Sequence, residues 1–128
     1  MKLLLDTHLL LWALTGDGRL SAEAAALIED SSNEPAFSVV SLWEVAIKSS
    51  LPRQDFPVRA AQLRHHLLED GYLELPIRAD HAIAVSDLPS IHRDPFDRIL
   101  VAQARVEGWL LLTVDLSIAA YPGPIRKV

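Results

Sequence analysis

The chain has 128 residues, half of them hydrophobic and 23% charged, which is the length of one ordinary domain and the composition of a compact one. It contains no cysteine, so disulfides, thiolate metal sites and cysteine nucleophiles are excluded. Its net charge of -5 is opposite in sign to the usual footprint of a nucleic-acid-binding protein. Acidic groups that hold divalent cations would remove this objection, because the ions would offset most of that charge.

The chain opens with a short apolar run. Residues 3–5 predict a buried strand, because strands that are covered on both faces of a parallel sheet are continuously apolar. Asp6 and His8 end the run too early for a signal peptide, and no segment is long and apolar enough to span a membrane. We therefore predict a single domain over residues 1–128, located in the cytoplasm.

Helices and strands alternate along the rest of the chain. Thr7 is expected to cap a helix over residues 9–14, and Ser21 a second helix that reaches residue 30. In chain order the other predicted elements are a strand over 36–40, a helix over 41–49 that starts with the capping box Ser41-Leu-Trp-Glu, a loop over 51–57, a helix from Pro57 to Gly71, a strand over 72–77, a helix over 78–87, a helix from Asp94 to Gly108, a strand over 109–114 and an edge strand over 125–128. This alternation predicts an α/β fold with a central parallel sheet and helices on both faces.

Four carboxylates border the apolar stretches of this predicted sheet. Asp6 and Asp115 end two of the strands, whereas Glu44 and Asp97 lie near the start of two helices. Each has an ordinary structural explanation, as a helix cap, as an acid at the positive end of a helix dipole, or as the beginning of a turn. Parallel sheets, however, bind ligands beyond the carboxyl ends of their strands, where two of these acids are expected. Together the four predict a single acidic pocket.

A pocket of four carboxylates needs a counter-charge. Two like charges about 5 Å apart repel by roughly 3 kcal/mol at an effective dielectric near 20. Magnesium and manganese ions prefer oxygen ligands of this kind, and four acids suffice for one ion or for two. Ions held in this way lower the pKa of a bound water and neutralise charge on a leaving oxygen. The residues alone therefore favour a metal-dependent hydrolase of phosphodiester bonds.

Four sequence blocks carry a more specific signal. They are, in order, Leu5-Asp-Thr-His-Leu-Leu-Leu-Trp, Ser41-Leu-Trp-Glu-Val-Ala-Ile-Lys, His92-Arg-Asp-Pro-Phe-Asp-Arg and Leu112-Thr-Val-Asp. In this order and at these spacings they resemble the PIN-domain toxins of the VapC family, and the resemblance covers nearly the whole chain. It implies a three-layer α/β/α PIN-like fold and an endoribonuclease that depends on Mg2+ or Mn2+, the toxin of a type II toxin-antitoxin pair. It also implies a small antitoxin that occludes the site, and a homodimer.

The resemblance assigns the catalytic and metal-binding acids to Asp6, Glu44, Asp97 and Asp115. It matches Thr113 with a hydroxyl residue that holds a water or a ligand beside the last acid. Asp94 competes with Asp97 for the third position, and we favour Asp97 because Asp94 is better placed to cap the helix. The proposed reaction cleaves single-stranded or looped RNA and leaves a 5'-phosphate and a 3'-hydroxyl.

Several residues beside the acids have two interpretations. Lys48, four residues after the second acid, either pairs with it along the helix or meets a phosphate. Arg93 and Arg98 are candidates for contacts with the RNA backbone, although surface arginines are usually only solvated. His8 and His92 are weaker candidates for a hydrogen bond to the site or to the substrate. The tryptophans are expected to pack in the core rather than to stack on bases: Trp12, Trp43 and Trp109.

Two other functions are alternatives. A phospho-accepting receiver domain has a similar length and a parallel sheet, but it needs adjacent acids after its first strand and an aspartate at the end of its third. Here Asp6 is followed by Thr7, and residues 72–77 end without an acid. A PIN-domain RNA-processing nuclease without a toxin role, or an interaction module, would keep the same fold. A small DNA-binding protein encoded directly upstream would favour the toxin.

Overall fold

The computed structural model describes residues 1–51 and 56–128, so the loop predicted over 51–57 lies partly outside the described residues. Within them, strands and helices alternate. The strands are β1 (Lys2–Leu5), β2 (Glu34–Ser38), β3 (Leu73–Leu75), β4 (Leu110–Thr113) and β5 (Ile125–Lys127). The α-helices are α1 (Thr7–Thr15), α2 (Ala22–Glu29), α3 (Val39–Lys48), α4 (Ala60–Glu69), α5 (Ala79–Ala84), α6 (Pro95–Glu107) and α7 (Leu116–Ala119), and a 3-10 turn over Val85–Asp87 follows α5.

The strands form one parallel sheet in the order β3-β2-β1-β4-β5. β1 lies in its centre, where Leu4 pairs in register with Ala36 of β2 and with Leu111 of β4. Parallel neighbours need crossover connections, and the helices supply them. The predicted three-layer α/β/α architecture with a central parallel sheet is confirmed, and so is the edge position of the last strand. In the described ranges, no helix has the length and apolar character that crossing a bilayer requires.

Two hydrophobic cores flank the sheet, and the leucines of β1 divide between them. Leu3 and Leu5 pack into one core with Phe37, whereas Leu4 packs into the other with Leu100 of α6. All five side chains are fully buried. Successive strand residues face opposite sides of a sheet, so a strand that is covered on both sides must be apolar at every position. The first polar residue after β1 therefore marks the rim of the sheet.

The first helix begins two residues earlier than predicted. α1 starts at Thr7, and its cap is the Asp6 carboxylate, whose Oδ1 accepts a hydrogen bond from Leu9 N at 3.0 Å. The prediction that Thr7 caps this helix is wrong, because the aspartate one position earlier already satisfies the free amide. Three other predicted helix signals are confirmed, namely the caps Ser21 of α2 and Asp94 of α6 and the terminating Gly108.

α3 also begins earlier than predicted, at Val39 instead of residue 41. Ser38 Oγ accepts from Val40 N at 3.0 Å and caps the helix, so the capping box predicted at residues 41–44 is not used. The two valines suggested a strand because they are β-branched, but the satisfied N-terminus overrides that preference. Glu44 therefore lies in the second turn. Trp43 is 50% exposed and not in the core as predicted, because the buried face of α3 carries Val40, Ser41, Glu44 and Val45.

The remaining differences are shifted ends of elements and one additional short helix. α4 begins at Ala60 and not at Pro57, because the backbone is still extended at the capping residue Arg59. β3 ends at Leu75, two residues before the predicted end. The short helix α7 was not predicted; its cap is Asp115, whose Oδ1 accepts from the amide of residue 117 at 2.7 Å. These shifts leave the order of the elements unchanged.

Replacing Ser38 by alanine should cost more stability than replacing Ser21. Both hydroxyls cap a helix, a contribution of about 1 kcal/mol, but Ser38 is fully buried and also donates to Gln103 Oε1 at 2.5 Å. Ser38→Ala would leave that buried amide oxygen unpaired, which adds about 1–3 kcal/mol. Urea unfolding of both variants and the wild type measures the difference. Equal losses in Ser38→Ala and Ser21→Ala would contradict the role given to the buried hydrogen bond.

Candidate metal centre

The structure brings the four predicted acids around one pocket at the carboxyl end of the sheet. Asp6 follows β1 and Asp115 follows the neighbouring β4, and the amide of Asp6 donates to Leu112 O at 3.1 Å. Helices α3 and α6 supply the other two acids. The pocket is lined by Asp6, Thr7, His8, Glu44, Lys48, His92, Asp94, Asp97, Val114, Asp115 and Ile118.

Asp6 is held through both of its carboxylate oxygens. Its side chain is buried, Thr113 Oγ1 donates to its Oδ2 at 2.6 Å, and Leu9 N donates to its Oδ1. Burial raises the pKa of Asp6 above its ordinary value of 3.8, although both hydrogen bonds act in the opposite direction. Thr113 also accepts from the amide of Asp115 at 3.0 Å. Thr113, which was predicted to hold a water or a ligand, thus connects the residue that follows β1 with the residue that follows β4.

Glu44 is held through both of its carboxylate oxygens. Thr7 Oγ1 donates to Oε1 at 2.6 Å and lies 2.9 Å from Ser41 Oγ. Lys48 Nζ, one helical turn further on, donates to Oε2 at 2.5 Å. Of the two interpretations of Lys48, the helical ion pair is the one that the structure contains. The lysine still lines the pocket, so its ammonium contributes a positive charge there.

The pKa of Asp97 is raised by its position in the pocket. Asp94 caps α6 by accepting from Phe96 N at 2.8 Å and from Asp97 N at 3.3 Å, which leaves the Asp97 side chain facing the cluster. Burial first of all raises the pKa of Asp97, and the charges of neighbouring carboxylates add to the effect. The result is a pKa of about 7, and the neighbours responsible are Asp94, Glu44, Asp115 and Asp6. These acids repel one another at neutral pH.

His92 stands opposite two of the acids. Its Nε2 lies 3.4 Å from Asp97 Oδ2 and 3.9 Å from Asp115 Oδ2. One potential ligand atom from each of these three residues lies within 4.8 Å of the others. His92, a weaker candidate in the sequence, thus lies beside two of the acids, and Thr7, expected to cap α1, instead donates to Glu44. The signal for His92 was its position two residues before the helix cap Asp94.

Arg93 and Arg98, which flank the helix cap Asp94, make different contacts. Arg98 donates through Nη1 to Pro89 O at 3.0 Å and through Nη2 to Val85 O at 3.2 Å, and it also reaches the hydroxyl of Tyr121. It braces the loop before α6, which corrects its interpretation as an RNA contact. Arg93 is exposed, and its side chain makes no ion pair or hydrogen bond within residues 1–51 and 56–128.

The donor set of the pocket fits a divalent cation. The four acids offer carboxylate oxygens, which are the ligands that hard cations prefer. Their mutual repulsion would be relieved by a bound positive charge, and the raised pKa of Asp97, caused first by burial and then by the neighbouring carboxylates, is in the direction that this repulsion predicts. Lys48 offsets only part of the negative charge of the four acids, because its ammonium is engaged with one oxygen of Glu44.

Comparison with known proteins identifies the family. A model of the PIN domain matches residues 3–124. Ribonuclease VapC22 of Mycobacterium tuberculosis is 30% identical over 125 residues, which cover 94% of this chain and 92% of that protein. The chain belongs to the VapC family of PIN domains. The resemblance predicted from the four sequence blocks is therefore confirmed.

Solved VapBC structures share the fold of this VapC-family chain. VapBC2 from Rickettsia felis, bound to a DNA fragment from its promoter, has a TM-score of 0.71 at 15% identity and covers 99% of this chain and 98% of its own. DNA-bound VapBC from Salmonella typhimurium has a TM-score of 0.69 at 17% identity, with the same coverage of 99% and 98%. VapBC-5 from Mycobacterium tuberculosis has a TM-score of 0.61 at 22% identity and covers 99% and 97%. At these identities the likeness shows the fold alone.

The metal-free protein should become less stable as the pH rises from 5 to 8. Between the ordinary value of 3.8 and its own pKa of about 7, Asp97 binds more protons in the folded than in the unfolded protein, so the free energy of unfolding falls as the pH rises through that window. Asp6 acts in the same direction, because its pKa is also raised. We expect the melting temperature to fall by a few degrees between these pH values in the presence of a chelator.

Asp97→Asn provides the control for this prediction. It keeps the shape of the side chain and removes its titration, so the fall in melting temperature should shrink. The carboxylates whose pKa is lowered, such as Asp17 and Asp80, affect stability only at lower pH. A melting temperature that is constant or rises from pH 5 to 8 would contradict the crowding of the acids.

Proposed function

We propose that this chain is an endoribonuclease that hydrolyses RNA phosphodiester bonds and acts as the toxin of a type II toxin-antitoxin pair. Membership of the VapC family supports this class of activity, and the name of the relative that is 30% identical supports RNA as the substrate. We further propose that residues 1–128 act as one domain in the cytoplasm, where both RNA and a cognate antitoxin would be available.

The convergence of four carboxylates in one pocket is the observation that carries the proposal. Folding has buried Asp97 among like charges, which makes its ionised form costly: burial first of all, and then the neighbouring carboxylates, raise its pKa to about 7. A divalent cation would offset that cost, and Mg2+ or Mn2+ is proposed because the acids offer hard oxygen ligands. The residues proposed to hold one ion or two, and to carry catalysis, are Asp6, Glu44, Asp97 and Asp115.

The chain's own residues prepare these carboxylates for the reaction. When bound, such an ion neutralises charge on the phosphate and lowers the pKa of a water. Thr113 fixes one oxygen of Asp6, and Thr7 and Lys48 each fix one oxygen of Glu44. Ligands that are already oriented by such partners bind metal more tightly and need less rearrangement.

Arg93 is the proposed contact for the RNA backbone. It is exposed next to the pocket-lining His92 and Asp94, and its guanidinium suits two oxygens of a phosphate. Lys48 is a second candidate, since it lines the pocket and would need only to share its ammonium with Glu44. Contacts of this kind make binding depend on salt and not on base sequence.

Asp6→Asn should abolish RNA cleavage while the protein stays folded. The variant keeps the shape of the side chain and its capping oxygen but removes the charge proposed to bind the ion. Loss of an outer contact to a metal site typically costs 10–100-fold, so we expect the loss of this ligand to exceed about 100-fold. Cleavage of a labelled RNA in Mg2+ or Mn2+, measured beside the melting temperature, tests this.

The matched control is Asp30→Asn, an equally conservative change of an exposed aspartate at the end of α2. It should cleave as the wild type does. Addition of a chelator to the wild type should stop the reaction, and added Mn2+ should restore it. Cleavage by purified Asp6→Asn at the wild-type rate, or cleavage that continues in the chelator, would overturn the proposed metal site.

We propose a small cognate antitoxin as the partner and a homodimer as the assembled state of this chain. The solved VapBC structures that share this fold support the antitoxin. Trp43 and Ile47 are exposed and lie four residues apart on one face of α3, and exposed apolar side chains that lie together support a protein contact. A small DNA-binding protein encoded directly upstream would favour the toxin over an RNA-processing nuclease.

A further inference from the structure

The loop before α6 is held more firmly than its exposure suggests. Tyr121 is buried and its hydroxyl makes all three hydrogen bonds of which it is capable. It accepts from His92 N at 2.8 Å and from Arg98 Nη1 at 3.2 Å, and it donates to His92 O at 3.3 Å. Arg98 also binds the carbonyl of Pro89. The backbone of His92 is therefore clamped from both sides.

The ring of His92 is oriented by the helix cap that follows it. The amide of Asp94 donates to His92 Nδ1 at 3.0 Å. A ring nitrogen that accepts an N–H carries no proton, so in the neutral imidazole the proton lies on Nε2. This nitrogen is the one that faces Asp97 Oδ2 at 3.4 Å and Asp115 Oδ2 at 3.9 Å. His92 thus places its Nε2–H beside two carboxylates, close to but not yet within hydrogen-bond geometry.

The other two acids already have side-chain donors of their own. Thr113 serves Asp6, whereas Thr7 and Lys48 serve Glu44. Asp115 uses its Oδ1 to accept from the amide of residue 117, which leaves Oδ2 for the pocket. In the part of the chain that the structure describes, no side chain hydrogen-bonds to the pocket-facing Oδ2 atoms of Asp97 and Asp115, and the basic nitrogen that lies within 4 Å of both is His92 Nε2.

We propose that His92 is a positioning residue of the metal centre, whose Nε2–H orients the carboxylates of Asp97 and Asp115. The inference rests on the proposed function, since it gives these two acids a cation to hold. Although the spacing of His92, Asp97 and Asp115 resembles a ligand set, His92 is not a ligand. Its Nδ1 lone pair is occupied by Asp94 N–H, and its Nε2 lone pair is replaced by a proton.

The tautomer can be observed directly in the wild-type protein. Nitrogen-15 labelling of histidine and long-range proton-nitrogen correlation spectra at about pH 8 distinguish the two ring nitrogens. We expect a protonated Nε2 and an unprotonated Nδ1 for His92, assigned through its loss in His92→Asn. A proton on Nδ1 would overturn the proposal, because Nε2 would then be free to bind metal.

Two variants of His92 test the roles of its two ring nitrogens separately. Glutamine reproduces the Nε2–H donor, whereas asparagine reproduces the Nδ1 acceptor and has no group that reaches the acids. His92→Asn should weaken Mn2+ binding by about 10–100-fold, and His92→Gln should stay much closer to the wild type. The readout is Mn2+ affinity by calorimetry on the chain without RNA. An unchanged His92→Asn, or equal losses in both variants, would overturn the proposal.

The same experiment distinguishes a failure of this inference from a failure of the proposed function. A wild-type chain that binds Mn2+ and cleaves RNA, alongside a His92→Asn variant that does both equally well, removes only the role of His92. A wild-type chain that neither binds Mn2+ nor cleaves RNA removes the proposed function, and the role of His92 with it. Melting temperatures establish that each variant is folded, including the His92→Asn variant that assigns the wild-type spectra.

Discussion

Repulsion between carboxylates at one edge of a parallel sheet is the constraint on which this molecule depends. β1 and β4 are neighbours, so Asp6 and Asp115 come together whenever the sheet forms. The helices α3 and α6 add two more acids, and burial, followed by the neighbouring negative charges, raises the pKa of Asp97. Natural sequences keep such unfavourable clusters mainly where a function needs them. A bound cation turns the same arrangement from a cost into a binding site.

Capping a helix and serving the pocket are compatible roles, because a carboxylate has two oxygens. Asp6 caps α1 with Oδ1, and its Oδ2 is held by Thr113. Asp115 caps α7 with Oδ1 and turns Oδ2 towards His92. The ordinary structural explanation of these acids is therefore correct, and it helps the site, since each cap fixes the direction of its carboxylate.

The sheet, most helices and the identity of the acids were predictable because they follow local patterns. Apolar runs predicted β1 and β4, and Asp94 followed by proline predicted the start of α6. The start of α3 was not predictable, since the two β-branched valines at that position favour a strand. The partners of the acids were hidden for another reason. Thr113 lies 107 residues from Asp6, and Thr7 lies 37 from Glu44, so no local pattern joins them.

The most direct test of the central claim is anomalous diffraction from crystals of the wild-type chain grown with saturating Mn2+. Manganese scatters anomalously, so its position is measured without assuming any ligand. The account predicts a peak inside the pocket, bonded to carboxylate oxygens of Asp6, Glu44, Asp97 or Asp115 and with no bond to His92. Absence of a peak in the pocket, or a peak elsewhere on the protein only, would contradict it.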